Sequence, residues 1–332
     1  MKAMLLQKTR PIEQEPLMVE EIQNPEPKNR EILIKVLACG VCHTDLHTVE
    51  GDLELPRLPL VPGHQVVGRV EKMGPDARLF NIGDRVGVTW FFSSCGDCRF
   101  CREGRENLCS KALFTGYHAD GGYAEYMVVP ERSAFTIPDF FSDWEATPLL
   151  CGGVIGYRAL TLSEVKPGQK LGMYGFGNSA HVVIQIAVHR GCRVYVFTRS
   201  QSHRDLAKEL GAVWVGTAQN TPPEPIDASI IFAPAGSLVP EALRVLDKGG
   251  TLALAGITMT PIPEMDYSLV YGERTIRSVA NTTRRDAEDL LAEAAKVPVR
   301  TVVDTFALEE ANRVLEMMKN SKLRGGAALV GY

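Results

Sequence analysis

The chain predicts a two-domain protein, an irregular all-β body joined to a doubly wound α/β domain with a parallel sheet. Three observations predict it. Residues 1 to about 150 alternate short β-like runs with Gly and Pro breaks, and residues after Cys151 alternate strand and helix patterns at a regular pitch. A glycine-rich turn then joins the first strand of that second region to its first helix.

In the first region EILIKVLACG, HQVVGRVEKMG, DRVGVTW and GYAEYMVVP carry the β texture. The opening MKAMLLQKTRPIEQEP has no long apolar run and reads as a first strand rather than a signal peptide. In the second region KLGMYGFG is a strand, SAHVVIQIAVHRG a helix and CRVYVFTRS a strand; HRDLAKELGA is a helix and VWVG a strand. The strand DASIIFAPAG, the helix VPEALRVLDKGG and the strand TLALAGI follow. NTPPEPID reads as a surface loop. Near residue 282 the texture changes again: helices RRDAEDLLAEAAKV and LEEANRVLEMMKN flank VRTVVDTFAL, and GAALVGY ends as a strand. This tail is expected to return to the first domain, giving one domain of residues 1–152 and 283–332 and an inserted one of 153–282.

At 332 residues there is ample material for two buried cores. Thirty-six basic against forty acidic side chains leave a net charge of −4, which argues against nucleic acid or a membrane as partner. No run approaches the roughly 18 uninterrupted apolar residues of a transmembrane helix. Cys39, Cys42, Cys151 and Cys192 show no pairing pattern, and a reducing cytoplasm fits them.

The most specific feature is SSCGDCRFCREGRENLCS. Two CxxC steps share Cys98, between Cys95 and Cys101, and Cys109 follows after seven residues. That is the spacing of a closed four-thiolate zinc knot, with Gly96 and Gly104 free to curl the backbone around it. Two disulfides on a secreted loop are the alternative, which consecutive CxxC steps disfavour.

Gly175, Gly177 and Ala180 form G-x-G-x-x-A after a predicted strand and at the head of a predicted helix, a setting suited to the pyrophosphate of a dinucleotide. The next strand ends in Phe197, Thr198, Arg199 and Ser200, with Arg204 one turn on. No Asp or Glu stands there to take a ribose 2′-hydroxyl, and two guanidiniums are placed to grip a 2′-phosphate, with Thr198 and Ser200 adding hydroxyls. This favours NADP and leaves NAD possible. Arg199 and Arg204 as ordinary solvated charges are the alternative. Cys42, His64 and Cys151 could form a second site of two thiolates and an imidazole with an open fourth position, as a catalytic zinc requires. Spacing alone leaves buried filler open for the thiols and a core histidine for the imidazole.

CHTDLH, PGHQVVG, GDRVGV, the cysteine knot, GRENLC, DGGYAEY, LLCGG and GFGNSAH occur in an order that resembles zinc-dependent alcohol dehydrogenases of the medium-chain dehydrogenase/reductase superfamily, over essentially the whole chain. The resemblance implies a GroES-like irregular β-barrel for residues 1–152 and 283–332 and a Rossmann domain for 153–282. It implies a catalytic zinc on Cys42, His64 and Cys151 and a structural zinc on Cys95, Cys98, Cys101 and Cys109. A thiolate at position 151 is similar to the alcohol-dehydrogenase branch rather than the polyol branch. The alcohol proton would leave from Thr44 through a cofactor ribose hydroxyl to His47. Asp45 would hold the other ring nitrogen of His64. His43 would meet the pyrophosphate, with Gly175, Gly177, Asn178, Ser179 and Ala180 forming its turn, and Trp90 and Phe91 would line the substrate pocket.

Three positions depart from the family pattern: Gln65 where Glu is usual, Ile155 where Thr is usual, and Gly in LRGGAALV where a C-terminal Arg is usual, with Arg324 two residues earlier. Altered cofactor affinity is the expected consequence. The resulting expectation is an NADP-preferring alcohol dehydrogenase or aldehyde reductase acting on a small alcohol or aldehyde. It is expected to be a homotetramer, with a dimer as the smaller alternative. Polyol oxidation on the same scaffold and a silent zinc and nucleotide binder are the rival readings.

Overall fold

A computed structural model describes residues 1–297, 299–323 and 325–331. They divide into two compact units: Met1–Cys151 with Thr283–Ala292 and the tail from Arg300, and Gly152–Thr282 with Glu293–Val299. Segment 293–299, expected in the first domain, clusters with the second because Glu293 takes the Arg190 guanidinium in a two-pronged pair at 2.8 and 2.5 Å.

The first unit opens with β1 (Lys2–Leu6) and β2 (Leu17–Glu21), paired antiparallel from Lys2↔Glu21 to Leu6↔Leu17. Then come β3 (Glu31–Val41), β4 (Gln65–Met73), β5 (Arg85–Val88), β6 (Phe91–Ser93), β7 (Leu113–Phe114), β8 (Tyr126–Pro130) and β9 (Ala134–Thr136). The C-terminal strands Val303–Ala307 and Gly326–Val330 join β3, β4, β5 and β9 in that order to form the main sheet, with β8 also on β3. The middle of this sheet is buried on both sides, which is why β3 reads as a nearly unbroken apolar run. Ile32, Ile34, Val36, Val66, Val70, Val86, Val88, Met127 and Leu329 make its core.

Two consequences of the β3–β4 pairing place the site. Gly40 lies opposite Gln65 in antiparallel register, so the residues just past β3 and just before β4 emerge side by side. Those residues include Cys42 and His64. The chain then enters a helix that the all-β reading did not contain, α1 (His43–Glu50). HTDLHTVE has little apolar periodicity, and the buried face is mostly polar: Thr44, Asp45, Leu46, Thr48 and Val49. Capping holds it instead. The Cys42 backbone N–H donates to Asp45 Oδ2 at 2.9 Å, and Gly51, at φ 84°, ends the helix by donating to the His47 carbonyl.

The second unit is a six-stranded parallel sheet in the order β12–β11–β10–β13–β14–β15. Its strands are β10 (Lys170–Tyr174), β11 (Arg193–Phe197), β12 (Trp214–Gly216), β13 (Ile226–Ile231), β14 (Leu246–Leu254) and β15 (Thr275–Ser278). This is the doubly wound order in which direction reverses between β10 and β13, leaving a crevice at the strand ends. Two details differ from the sequence reading. The helix over VPEALRVLDKGG stops at Val245, because Gly249 (φ 71°) and Gly250 suit the start of β14 better than a helix interior. The edge strand β15 was not anticipated, since TIRS is short and half exposed. No helix among the described residues is long and apolar enough to cross a membrane.

Candidate functional site

Cys42, His64 and Cys151 bring their ligand atoms within 4.8 Å of one another in the first unit. Cys42 Sγ lies 3.7 Å from Cys151 Sγ, and His64 Nε2 lies 3.2 Å from the same sulfur. His64 is wholly buried while the two thiols are half-buried, so the cluster is backed on the imidazole side. Asp45 supplies that backing. Its Oδ1 accepts from His64 Nδ1 at 2.8 Å, and its Oδ2 accepts from the Cys42 N–H at 2.9 Å and from the Tyr123 hydroxyl at 3.3 Å. One carboxylate thus caps α1 and fixes the imidazole tautomer that leaves Nε2 free to ligate.

The electrostatics follow from this packing. Burial alone would depress the His64 imidazole, but the Asp45 carboxylate, followed by the Cys42 thiolate, overrides it and lifts the pKa to about 10. The contact with Cys151 holds the Cys42 thiol well below its ordinary value, against burial, and the same contact pushes Cys151 well above. A divalent cation entering this group displaces protons from it.

The second cluster, Cys95, Cys98, Cys101 and Cys109, also has all ligand atoms within 4.8 Å. Its sulfurs are 3.5 Å apart for Cys98–Cys101 and for Cys95–Cys109, and 3.9 Å apart for Cys95–Cys101. Those separations are far beyond the roughly 2.05 Å of a disulfide, and all eight cysteines are free thiols. Gly96 and Gly104, at φ 78° and 68°, make the turns. Backbone N–H groups, that of Cys95 foremost, lower the Cys109 thiol to about 7, against burial.

Around the trio, Thr44 is buried with its hydroxyl 3.7 Å from Cys42 Sγ. His47, one turn along α1, reaches the surface and its Nδ1 meets Asp52 Oδ2 at 2.7 Å. His43 is exposed at the head of α1. Trp90 meets the His64 ring edge-on at 5.1 Å, stacks on Phe114 at 5.2 Å and has Tyr117 tilted against it at 5.7 Å. Phe91 does not share this position. It is buried in the barrel with the Arg284 guanidinium over its ring at 5.8 Å, a packing role rather than the pocket lining expected of it.

In the second unit, Gly175 (φ 88°) turns the chain at the end of β10, where a Cβ would stand 3.0 Å from the Ala233 nitrogen. A Cβ on Gly177 would meet open space, so its absence leaves the backbone N–H groups approachable. Asn178 and Ser179 open the helix Asn178–His189, and Ala180 is fully buried against the sheet. At the end of β11, Thr198 donates its N–H to Gly216 and is buried, and Ser200 caps the helix Gln201–Glu209 by accepting from the His203 N–H. Arg204 turns back: one guanidinium nitrogen donates to the carbonyls of Thr198 (2.7 Å) and Arg199 (2.9 Å). Arg199 is exposed, whereas Arg204 is half-buried.

Comparison with known proteins decides the family. Residues 28–139 match the alcohol dehydrogenase GroES-like domain, and residues 180–296 match the zinc-binding dehydrogenase domain. A probable alcohol dehydrogenase, AdhA, of Mycobacterium tuberculosis (strain CDC 1551 / Oshkosh) is 44% identical, with 99% of this chain and 97% of that one aligned. An alcohol dehydrogenase of Geobacillus stearothermophilus is 36% identical over 94% of this chain and 95% of its own. Among solved structures, AibC superposes with a TM-score of 0.92 at 28% identity, covering 99% of this chain and 95% of that one. The chain belongs to the family of zinc-dependent alcohol dehydrogenases in the medium-chain dehydrogenase/reductase superfamily.

Its homologues make this dehydrogenase an oxidoreductase that works with a nicotinamide cofactor. The three departures from the family pattern now have positions. Gln65 opens β4 with its side chain against Gly40, where a Cβ would lie 3.0 Å from its amide. Ile155 is half-buried on the helix Gly152–Leu162. Gly326 begins the last strand opposite Val303, and Arg324 lies outside the described residues. Sequence reasoning missed Asp52, Tyr123 and the Phe114–Tyr117–His118 aromatic group. Only the turn signal at Gly51–Asp52 could have pointed to the first of these, and DGGYAEY contained the second without revealing which tyrosine faced Asp45.

Proposed function

We propose that this dehydrogenase transfers hydride between a primary or secondary alcohol, or its carbonyl, and NADP(H) in preference to NAD(H). In this reading one zinc binds Cys42, His64 and Cys151 and a second binds Cys95, Cys98, Cys101 and Cys109. Residues 1–152 and 283–332, except the segment 293–299 that clusters with the second unit, form the catalytic domain, and 153–282 with that segment the dinucleotide-binding domain.

The observation that carries the reading is the spacing of the donors. Tetrahedral zinc with Zn–S bonds of about 2.3 Å requires sulfurs about 3.8 Å apart. The Cys42–Cys151 separation is 3.7 Å, and in the knot Cys98–Cys101 and Cys95–Cys109 are 3.5 Å apart and Cys95–Cys101 3.9 Å, with all four sulfurs within 4.8 Å of one another. The donor chemistry fits as well: three soft or borderline ligands leave one position for substrate in the trio, and four thiolates leave none in the knot.

When bound, the zinc supplies Lewis-acid polarisation of the substrate oxygen and the nicotinamide supplies the hydride acceptor. The protein's own residues do the rest. Asp45 holds His64 with Nε2 toward the ligand cluster. Thr44 Oγ1 would accept a hydrogen bond from the substrate hydroxyl and take its proton only as the threonine's own proton is relayed onward to His47, which is half-exposed and releases it to solvent. Trp90 closes one side of the substrate space beside His64. For the cofactor, Gly175, Gly177, Asn178, Ser179 and Ala180 present helix N–H groups to the pyrophosphate, and His43 is proposed as a further cofactor-binding residue. The preference for NADP rests on Arg199 and on the absence of a carboxylate among Thr198, Arg199 and Ser200; Arg204 acts indirectly, by holding the two carbonyls that set this strand end.

A homotetramer in a reducing cytoplasm completes the reading. Its support is the set of free thiols and the exposed large apolar side chains of the second unit, Ile257, Tyr267 and Tyr271, each at least 70% exposed.

Rates with NADPH and NADH on short, long and aromatic aldehydes test the reaction and the cofactor together. Arg199→Asp should move the preference toward NADH by at least about tenfold, the scale of one lost charge-assisted pair. An unchanged preference would remove Arg199 as its cause. Cys42→Ala should abolish aldehyde reduction and leave one zinc per chain instead of two; full activity in that variant would rule out the trio as the catalytic site.

A further inference from the structure

We infer that Asp52 is a positioning residue for His47, holding the imidazole in the tautomer that can take up the substrate's proton. This rests on the proposal above that His47 releases that proton.

The geometry is built around one side chain. Gly51, in the left-handed conformation at φ 84°, reverses the chain as α1 ends. The N–H groups of Gly51, Asp52 and Leu53 then all point to the His47 carbonyl, at 3.1, 3.0 and 3.5 Å. The same reversal lays the Asp52 carboxylate against the ring, with Nδ1 to Oδ2 at 2.7 Å. Other groups near this end of α1 are engaged elsewhere. Glu50 accepts from the Ile12 N–H and from Lys319, which is also held by Glu13. Asp52 is therefore the carboxylate committed to His47 among the described residues.

A neutral imidazole has one donor and one acceptor nitrogen. A carboxylate cannot donate, so Nδ1 carries the hydrogen and Nε2 is left as the acceptor. When Nε2 takes up a proton, the ring becomes an imidazolium paired with Asp52, and that proton then passes from Nε2 to water, restoring the starting tautomer. Without Asp52 the imidazole distributes between two tautomers and rotates freely, and only part of the population accepts at Nε2. Stability does not explain the pair: the side chains are 36% and 59% exposed, where ion pairs contribute little to folding.

The test combines a spectrum with a cycle of variants in the full-length zinc-loaded enzyme. In the wild type, 15N spectra of the neutral His47 ring should show the hydrogen on Nδ1; in Asp52→Ala they should show a mixture. Asp52→Ala should lower kcat/KM for alcohol oxidation at pH 7 by about tenfold, less than the roughly 10²- to 10⁴-fold of losing the proton-transfer group itself. Asp52→Asn, whose amide oxygen still accepts from Nδ1–H, should recover most of the loss, and thermal midpoints should agree within about 2 °C. In a His47→Ala background Asp52→Ala should cost nothing further. A wild-type His47 with its hydrogen on Nε2, or an equal loss in both backgrounds, overturns the assignment of Asp52. If His47→Ala leaves turnover intact, the proton-release reading fails instead, while the spectrum still judges the Asp52–His47 tautomer.

Discussion

The four sulfurs of the Cys95–Cys109 knot lie within 14 residues of one another, whereas Cys42 and Cys151 come from positions 109 residues apart. The knot is made by a local loop: two glycine turns and a four-residue helix, Arg99–Arg102, wrap the thiols with no help from the sheet. The trio depends on the sheet. Strand register puts Cys42 beside His64, α1 returns Asp45 behind the imidazole, and the chain brings Cys151 back after β4 to β9 have been laid down. A closed local site can lose its ion only by losing its own fold. An open, sheet-built site can lose its ion and keep the fold, and that difference suits the first to structure and the second to chemistry.

Exchanging one cysteine in each site is the most direct way to break this contrast. Cys42→Ala is expected to lower turnover by at least about a thousandfold while the thermal midpoint changes little, since Lewis-acid stabilisation of the reacting oxygen accounts for several kcal/mol. Cys101→Ala is expected to do the reverse at first: purified protein retains activity per folded molecule but melts earlier and is recovered in lower yield. Metal analysis, melting curves and initial rates on the two variants check both halves. If Cys101→Ala matched Cys42→Ala in rate without any loss of stability, the two sites would not differ in role.

Asp45 sharpens the comparison with a smaller effect. Among the described residues the knot has no buried carboxylate behind a ligand; its outer contacts include the exposed Asp97 carboxylate at Cys95, the Ser94 hydroxyl at Cys101 and the Lys111 N–H at Cys109. Asp45, only 1% exposed, joins His64, the Cys42 N–H and Tyr123. Asp45→Asn should weaken zinc at the trio by about 10- to 100-fold and leave the knot untouched. Competition with a chromophoric chelator resolves the two ions, and loss of both together would contradict the separate construction of the sites.

The same distinction explains what could be read from the sequence. The knot was legible because its information is local, and so was the G-x-G-x-x-A turn, where Gly175 and Gly177 do what their lack of a side chain permits. Most strands and helices were legible from apolar runs. The polar helix α1 was not, because Cys42–Asp45 capping and burial of Thr44 and Thr48 hold it instead of an apolar stripe. Cys42, His64 and Cys151 were readable as a set only through the family resemblance, since no spacing rule joins residues brought together by register. Arg204 shows the remaining gap. Its charge suggested a phosphate grip, and only the fold reveals that its guanidinium is turned onto the carbonyls of Thr198 and Arg199.

Glu131 extends the comparison to a sheet-built site that holds no metal, and it has the smallest expected effect. Its carboxylate, 1% exposed, accepts from the N–H groups of Arg78 and Leu79 at 2.6 and 2.8 Å and from Arg30 Nε at 2.9 Å, tying three segments of the barrel. Burial pushes this carboxyl up, but the two N–H groups and the Arg30 guanidinium prevail and hold it below its ordinary 4.5. The folded state therefore binds the proton less readily than the unfolded one. The stabilisation is fully present above the unfolded pKa and is lost as pH falls through the lower folded value. Glu131→Gln keeps the shape and one acceptor oxygen but removes the charge, at a cost of about 1–3 kcal/mol at pH 7. Denaturant melts of wild type and variant should differ by that amount at neutral pH and draw together below about pH 4. A gap that stayed constant down to pH 3 would mean that the carboxylate charge contributes nothing and that shape alone holds the three segments.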